Sequence, residues 1–413
     1  MTRYGITLHL FSKIKIYDQI YLFIDQAVWS GASFIIGVLV ARFLSPEALT
    51  NYSILLACLF FVTSGQQSLI FSFIYSRTFS LSKQRLSRAL NMQVIVLLIF
   101  LIMFLTAAIA LKISGIASLF SIIIIFFFIS SLIVYEYFRK MFIYSRNYWI
   151  LLQSDTIVKV TPLLAIFILA PKTLNELLVI IAILTSLYLG FLFVSYPING
   201  RSIFRFLRIG RNIAFMFNFG KWLLLANALQ WTSGYLVLFG ATWIIGAREV
   251  GYVIAIKNLL GVSTLIFQFY ESYVTPRFIC TRQLWKDFLQ LIKLSASALV
   301  GLCLFVFVIW EYNESIVMLI LGSDYSEYSV FAYPLAILIM LEFAQRPLLV
   351  ILRAYDETKI VFFAYAATTA VAVILVYPVV LNFKGFGMIS LLITLQLVLL
   401  CFYIRQIRKV YNQ

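Results

Sequence analysis

Histidine is almost missing from these 413 residues: His9 is the single one. Cysteine is scarce and scattered, at Cys58, Cys280, Cys303 and Cys401. With no CxxC, no HExxH and no clustered Cys/His ligands, the sequence excludes a metal centre and a disulfide framework. Charge is the third scarcity. Charged residues make up 12% of the chain, against about 25% in soluble domains. Acids are the rarer half, 16 Asp+Glu against 32 Lys+Arg, which leaves a net charge of +16. A basic balance of this size first suggests a nucleic-acid partner, but these cations sit between apolar runs and read as topology signals of a membrane protein. What the sequence does have is apolar residues, 63% of the total. That is about 260 residues, enough for roughly a dozen spans of ~20 residues each.

Apolar stretches long enough to span predict helices at 20–41, 52–75, 91–111, 116–138, 149–170, 176–196, 218–245, 250–274, 288–310, 328–350, 360–381 and 386–404. The longest outer connection on this reading is 311–327, with Glu311, Glu314, Asp324 and Glu327 and no cation. No connection is large enough for a soluble catalytic domain. Most cations fall in alternate segments: Arg3 to Lys15, Arg77 to Arg88, Arg139 to Arg146, Arg201 to Arg211, Arg277 to Lys293, Arg353 with Lys359, and Arg405 to Lys409. The other connections hold only Arg42, Lys112, Lys172, Arg248 and Lys384. The positive-inside rule then places both termini in the cytoplasm. Three cations precede a first span that is longer than a signal-peptide core, and no A-x-A site follows, so this span is expected to stay in the protein.

Two segments match at an offset of 201 residues. Arg42–Tyr52 lies between the first and second spans, and Trp243–Tyr252 between the seventh and eighth. Each is a tight turn into a helix at the same place in a six-helix half. Six is even, so the halves run the same way through the membrane as a parallel repeat. The expected fold is therefore an all-α polytopic membrane protein of about twelve helices, with lobes at 1–205 and 206–413.

At these turns the chain resembles a family. "ARFLSPEALTNYSIL", "WIIGAREVGYVIAIKNLL", "YESYVTPRF", "LILGSDYSEYSVFAYPLAILIM" and "KGFGMISLLITLQLVLLCFYIRQIRK" resemble the polysaccharide-export (O-antigen flippase) branch of the multidrug/oligosaccharidyl-lipid/polysaccharide exporter superfamily. Thr50-Asn51 stand where that branch usually has glycine, and Ala247 where it often has proline. The resemblance implies a non-enzymatic flippase of the bacterial cytoplasmic membrane. It would carry an undecaprenyl-diphosphate-linked oligosaccharide, a surface-glycan repeat unit such as O-antigen, to the outer leaflet by alternating access. Membrane lipids and the glycan polymerase of the pathway are the implied partners. Nucleic acid is not one, and no cofactor is implied beyond a coupling proton or sodium ion.

Polar residues inside spans are expensive and mark cavities or partners. The eighth span carries Lys257, Gly261, Thr264, Gln268 and Glu271 along one helical face. Lys257 and Glu271 are about 21 Å apart on the axis, too far to neutralise each other. The first span has Asp25, Gln26, Ser30, Ser33 and Gly37. The second has Thr63-Ser64-Gly65-Gln66-Gln67-Ser68, and the seventh has Asn227, Gln230, Trp231 and Gly234. Each face alone suits helix packing through small and polar residues. Their coincidence on repeat-equivalent helices points to a shared cleft. Asn227, Gln230, Trp231, Gln66, Gln67 and Gln268 are then candidates for substrate contact, Asn227 and Trp231 for sugar. Asp25 and Glu271 are candidates for ion coupling. Asp155/Lys159 and Glu342/Arg346 have the i,i+4 order of within-helix pairs. They are either self-neutralised charge or, through Lys159 and Arg346 together with Lys257, contacts for a diphosphate. Pro162 and Pro347 follow these pairs as potential bending points.

Two other functions compete. A surface-glycan polymerase or polytopic glycosyltransferase would need paired carboxylates or a substantial outer loop, and no catalytic spacing is evident. A small-molecule or drug antiporter of the same superfamily would share the helices and not the substrate.

Overall fold

A computed structural model of the chain describes residues 16–71, 93–102, 104–106, 118–145, 147–195, 209–261, 263, 284–354 and 358–411. They are nearly all helical, and the protein is a multi-pass membrane protein. The helices are α1 (Ile16–Phe43), α2 (Pro46–Gln66, extended by a π turn over Gln67–Phe71), α3 (Leu119–Ser145), α4 (Tyr148–Leu169), α5 (Leu174–Ser195), α6 (Ile209–Ile245), α7 (Ala247–Leu260), α8 (Leu284–Ile320), α9 (Ala332–Ala354) and α10 (Thr358–Tyr411). A further helical stretch covers 93–102 and 104–106. Among the described residues, eight helices are long and apolar enough to cross a membrane. Every expected span overlaps helical residues. The basic residues at 77–88 and 277–282, with Thr264, Gln268 and Glu271, lie outside the described residues.

Local chemistry sets the helix ends. Ser45 caps α2 by accepting from the Ala48 amide at 3.1 Å, with Pro46 at the first helical position and Glu47 at the positive end of the helix dipole. α5 begins with a capping pattern: the Glu176 carboxylate accepts from the Lys172 amide at 2.8 Å, and Thr173 Oγ1 accepts from the Glu176 amide at 3.3 Å. Neither Pro162 in α4 nor Pro347 in α9 ends its helix. The breaks fall elsewhere, at Tyr312 (φ −115°, ψ 20°) in α8 and Lys384 (φ 48°, ψ −127°) in α10. Lys384 separates the last two expected spans where the sequence places their boundary.

One expectation is corrected. The outer connection expected over 311–327 is helix α8 as far as Ile320, followed after Leu321-Gly322 by a 3₁₀ segment, Ser323–Phe331. Glu311 and Glu314 lie exposed on either side of the break at Tyr312, and beyond it the chain turns helical again through the apolar run Val317–Ile320.

The residues form two compact units, one of residues 1–53 and 232–413, the other of 54–231. In the first, α9 packs on α10, and α7 packs on α1 and α9. In the second, α3 packs on both α4 and α5, which also pack on each other.

Candidate functional site

The first unit contains the two repeated turns, and they meet each other. Thr50 Oγ1 donates to the Ala247 carbonyl at 2.7 Å. A Cβ at Gly251 would lie 2.1 Å from the Pro46 carbonyl oxygen, so only glycine fits there. At the offset of 201, Thr50 corresponds to Gly251 and Pro46 to Ala247. The two contacts are therefore mates under a pseudo-twofold exchange. Glu47 and Arg248 also correspond, and they form an ion pair at 3.8 Å with exposures of 45% and 70%. Thr50 and Ala247, both departures from the resembled pattern, are the pair joined by the hydrogen bond. Deeper on α1 and α7, a Cβ at Gly37 would come within 3.2 Å of Asn258 Nδ2. The joint is framed by Tyr325 Oη donating to the Ala41 carbonyl at 2.8 Å, Arg42 Nη1 donating to the Leu319 carbonyl at 3.1 Å, and Tyr252 stacked on Tyr328 at 3.7 Å. Arg248 Nε donates to the Tyr252 hydroxyl at 3.2 Å. That bond, and then the Glu47 carboxylate, hold the guanidinium above its ordinary pKa.

The second unit holds a polar seam where α6 runs along α2. Asn227 Nδ2 donates to Ser68 Oγ at 2.8 Å. Trp231 Nε1 donates to the Ala57 carbonyl at 2.6 Å, its ring 4.8 Å from that of Phe61. Gln66 is fully buried. Its Nε2 donates to Gln93 Oε1 at 2.5 Å and to the Ile133 carbonyl at 3.3 Å. Gln67 opens the π turn, a local widening often found at functional positions. The Oε1 atoms of Gln66 and Gln67 and Nε2 of Gln93 are buried without a hydrogen-bond partner, which marks the seam as a place that gains from a polar guest. Asn227 Nδ2 and Trp231 Nε1, two atoms that could face sugar, donate to protein here.

The densest site in the second unit joins α3, α4 and α5. Asp155, wholly buried, accepts from Arg139 Nε at 2.7 Å on one oxygen and from the Tyr135 hydroxyl on the other. Arg139 is itself buried and lies 3.8 Å from Glu136, which also pairs with Lys140 at 3.6 Å. Ser154 and Tyr188 hydroxyls share a hydrogen bond of 2.7 Å, and Tyr188 meets Tyr135 edge-on. Asp155 therefore has partners on α3 that the spacing within α4 does not show. The carboxylate reaches across to α3, because in a buried helix the facing helix offers a shorter and better aligned donor than the next turn. Lys159, one turn further along α4, is half-buried.

In the first unit, Asp25 is buried, Arg346 is half-buried and Lys257 is exposed; in the second, Gln230 is exposed. Next to Arg346, Gln345 Nε2 donates to the Gln396 carbonyl at 2.8 Å. Tyr135, Glu136, Arg139 and Tyr188 were not expected at a site. Arg139 and Lys140 read as topology signals because they end a long apolar run. The clue was the spacing of Tyr135 and Arg139, one turn apart on one face. Among the described residues, no group of three or more His, Cys, Asp or Glu is placed to hold a metal ion.

Chemically, a buried arginine clamped by one carboxylate can do two things. It can exchange the carboxylate for another oxyanion, such as a phosphate, which suits its fork equally well. It can also release its partner when the carboxylate takes up a proton.

No protein-family model matches the chain, and no curated protein matches it. Two solved structures share its fold over nearly the whole length. An inward-facing multidrug resistance MATE family transporter of the MOP superfamily superposes with a TM-score of 0.63 at 12% identity, covering 94% of this chain and 95% of that one. The lipid II flippase MurJ in an inward closed conformation superposes with a TM-score of 0.63 at 15% identity, covering 95% of this chain and 88% of that one. At these identities the likeness establishes the architecture: the chain has the helical fold these two proteins share.

Proposed function

We propose that the protein is a flippase of the bacterial cytoplasmic membrane, both termini cytoplasmic, that moves an undecaprenyl-diphosphate-linked oligosaccharide to the outer leaflet. The cargo on this reading is a surface-glycan repeat unit such as O-antigen. The observation that carries the reading is the cluster of Arg139, Lys140 and Lys159 around two carboxylates inside the helical bundle. A membrane protein keeps such charge only where it is used, and a diphosphate is the headgroup that cations at this depth suit. The fold shared with a lipid II flippase supports a lipid-linked cargo. The match of the two turns at an offset of 201 residues supports a division into lobes 1–205 and 206–413 that exchange access by rocking.

Lys257, Arg346 and Lys159 are the diphosphate contacts on this reading, with the amides of Gln66, Gln67, Gln230, Gln268 and Asn227 and the ring of Trp231 serving the sugars. An inside-negative potential favours outward movement of an anion by about 2.3 kcal/mol per charge per 100 mV, and Asp25 or Glu271 would add proton or sodium coupling. The glycan polymerase of the pathway would take the product. Deleting the gene tests the reading: surface glycan should be lost while its lipid-linked precursor accumulates inside, and undiminished surface glycan would refute it. Asp25→Asn should change the dependence of export on the ion gradient.

A second reading, a small-molecule antiporter, draws on the fold shared with a multidrug transporter. It requires cation-for-drug exchange in cells lacking the glycan pathway.

A further inference from the structure

Where α2 passes into its π turn, two neighbouring glutamines carry buried amide oxygens, Gln66 and Gln67. Gln93, 5% exposed, meets Gln66 from the helical stretch 93–102. The protein decides which way round two of these amides stand. Gln66 Nε2 donates to Gln93 Oε1 at 2.5 Å and to the Ile133 carbonyl at 3.3 Å, which uses both of its hydrogens. Turned over, Gln66 would set its oxygen against the Ile133 carbonyl, two acceptors with no hydrogen between them. Ile133 therefore fixes Gln66, and Gln66 fixes Gln93 with Oε1 toward it.

What remains is a mixed set. Gln66 Oε1 and Gln67 Oε1 are acceptors, Gln93 Nε2 is a donor, and all three are buried without a hydrogen-bond partner. The neighbouring hydroxyls spend their hydrogens on their own helix: Ser64 donates to the Phe61 carbonyl and Ser68 to the Ser64 carbonyl, both at 2.8 Å. A cation would suit the two oxygens and be repelled by the Gln93 N–H. A phosphate or carboxylate would suit that N–H and be repelled by the oxygens. Neither mismatch is tolerable inside a helical bundle, where an ill-paired ion is costly. A hydroxyl donates and accepts through one oxygen and carries no net charge. It is the smallest group that meets both demands.

We propose that Gln66, Gln67 and Gln93 form a receptor for a neutral hydroxyl group, supplied by water or by a sugar of the lipid-linked glycan. Gln93 Nε2 donates to the hydroxyl oxygen. Water, with two hydrogens, donates to Gln66 Oε1 and Gln67 Oε1 together, whereas a sugar hydroxyl donates to one of them. Gln93 thus joins two amides already given to the sugars, and the flippase reading is needed only for the sugar as a source.

X-ray radiolytic footprinting of the full-length protein in nanodiscs tests the receptor, because radicals formed from a bound water oxidise the side chains beside it. Peptides holding 66–71 and 93–102 should be oxidised. The oxygen they gain should still be the ordinary isotope just after mixing into heavy-oxygen water, since an enclosed water exchanges slowly. Gln66→Met/Gln93→Leu removes an acceptor and the donor together and should lose this oxidation, as apolar interiors stay dry. Gln93→Leu alone should lose it too and covers the case in which the double variant does not fold; thermal stability is measured for both. Adding purified lipid-linked glycan separates the sources. Suppression of the signal assigns the receptor to a sugar hydroxyl, and an unchanged signal assigns it to water. Oxidation no greater than in the folded variants, or suppression by sodium ion or inorganic phosphate, would overturn the proposal. Footprinting reads occupancy without movement. A slow-exchanging signal in a protein that flips no glycan lipid in vesicles would therefore spare the receptor and sink the flippase reading, and the converse result would do the opposite.

Discussion

Each unit contains an arginine paired with a carboxylate from another helix, and the two pairs work in opposite regimes. Glu47–Arg248 in the first unit lies at 3.8 Å, largely exposed. Water and salt screen such a pair, and it stabilises little. Asp155–Arg139 in the second unit lies at 2.7 Å with both side chains out of solvent. There neither ion can recover its hydration if the other is removed, so the bond is costly to break even where it contributes little by forming. The exposed pair marks a joint held by backbone fit. The buried pair is a polarised node, held because a buried ion left without its partner is costly.

The largest effect should come from removing one member of the buried pair. Asp155→Ala strands the Arg139 guanidinium and should destabilise the protein by about 3–5 kcal/mol, read as lost yield and a lowered Tm in detergent. The double variant Asp155→Leu/Arg139→Met should recover much of that loss, and a purely additive double variant would show that the residues do not act as a pair.

Next comes Tyr135→Phe. It removes a hydrogen bond to a charged acceptor, which corresponds to about 1.5–3 kcal/mol. If its Tm equals that of the unaltered protein, the second arm of the Asp155 clamp is unimportant.

At the joint, Gly251→Ala should cost about 1–3 kcal/mol as overpacking, because its Cβ would meet the Pro46 carbonyl oxygen. Gly234→Ala, on α6 with nothing within 4 Å of its Cβ position, is the tolerant control. The smallest effect belongs to Glu47→Gln, expected to leave Tm unchanged at moderate salt. A large loss there would erase the contrast between the two pairs.

Much of the architecture was legible in the sequence because membrane helices announce themselves by length and apolarity. The break at Lys384 was legible too, since a cation and two nearby glycines, Gly385 and Gly387, interrupt a long apolar run. The repeated turns could be matched at their offset, but their contact could not be read, because hydrogen bonding between Thr50 and Ala247 depends on tertiary placement. The buried node was legible only in part for a related reason. Sequence spacing ties Asp155 to Lys159 on its own helix, whereas the fold supplies Arg139 and Tyr135 from the facing one. Arg139 carries two messages, topology and pairing, and composition reveals only the first. The return to helix after the break at Tyr312 was hidden because exposed acids at a span end look like the start of a loop.

Flipping by the purified protein in vesicles tests the central claim most directly. Lipid-diphosphate-linked oligosaccharide is placed in one leaflet, and its exposure to a membrane-impermeant sugar-modifying enzyme is followed on the other side. Vesicles with the unaltered protein should expose the lipid far faster than protein-free vesicles, and vesicles with stably folded Lys159→Ala should be slow. Exposure no faster than in protein-free vesicles, under either polarity of membrane potential and with or without proton and sodium gradients, would contradict the account.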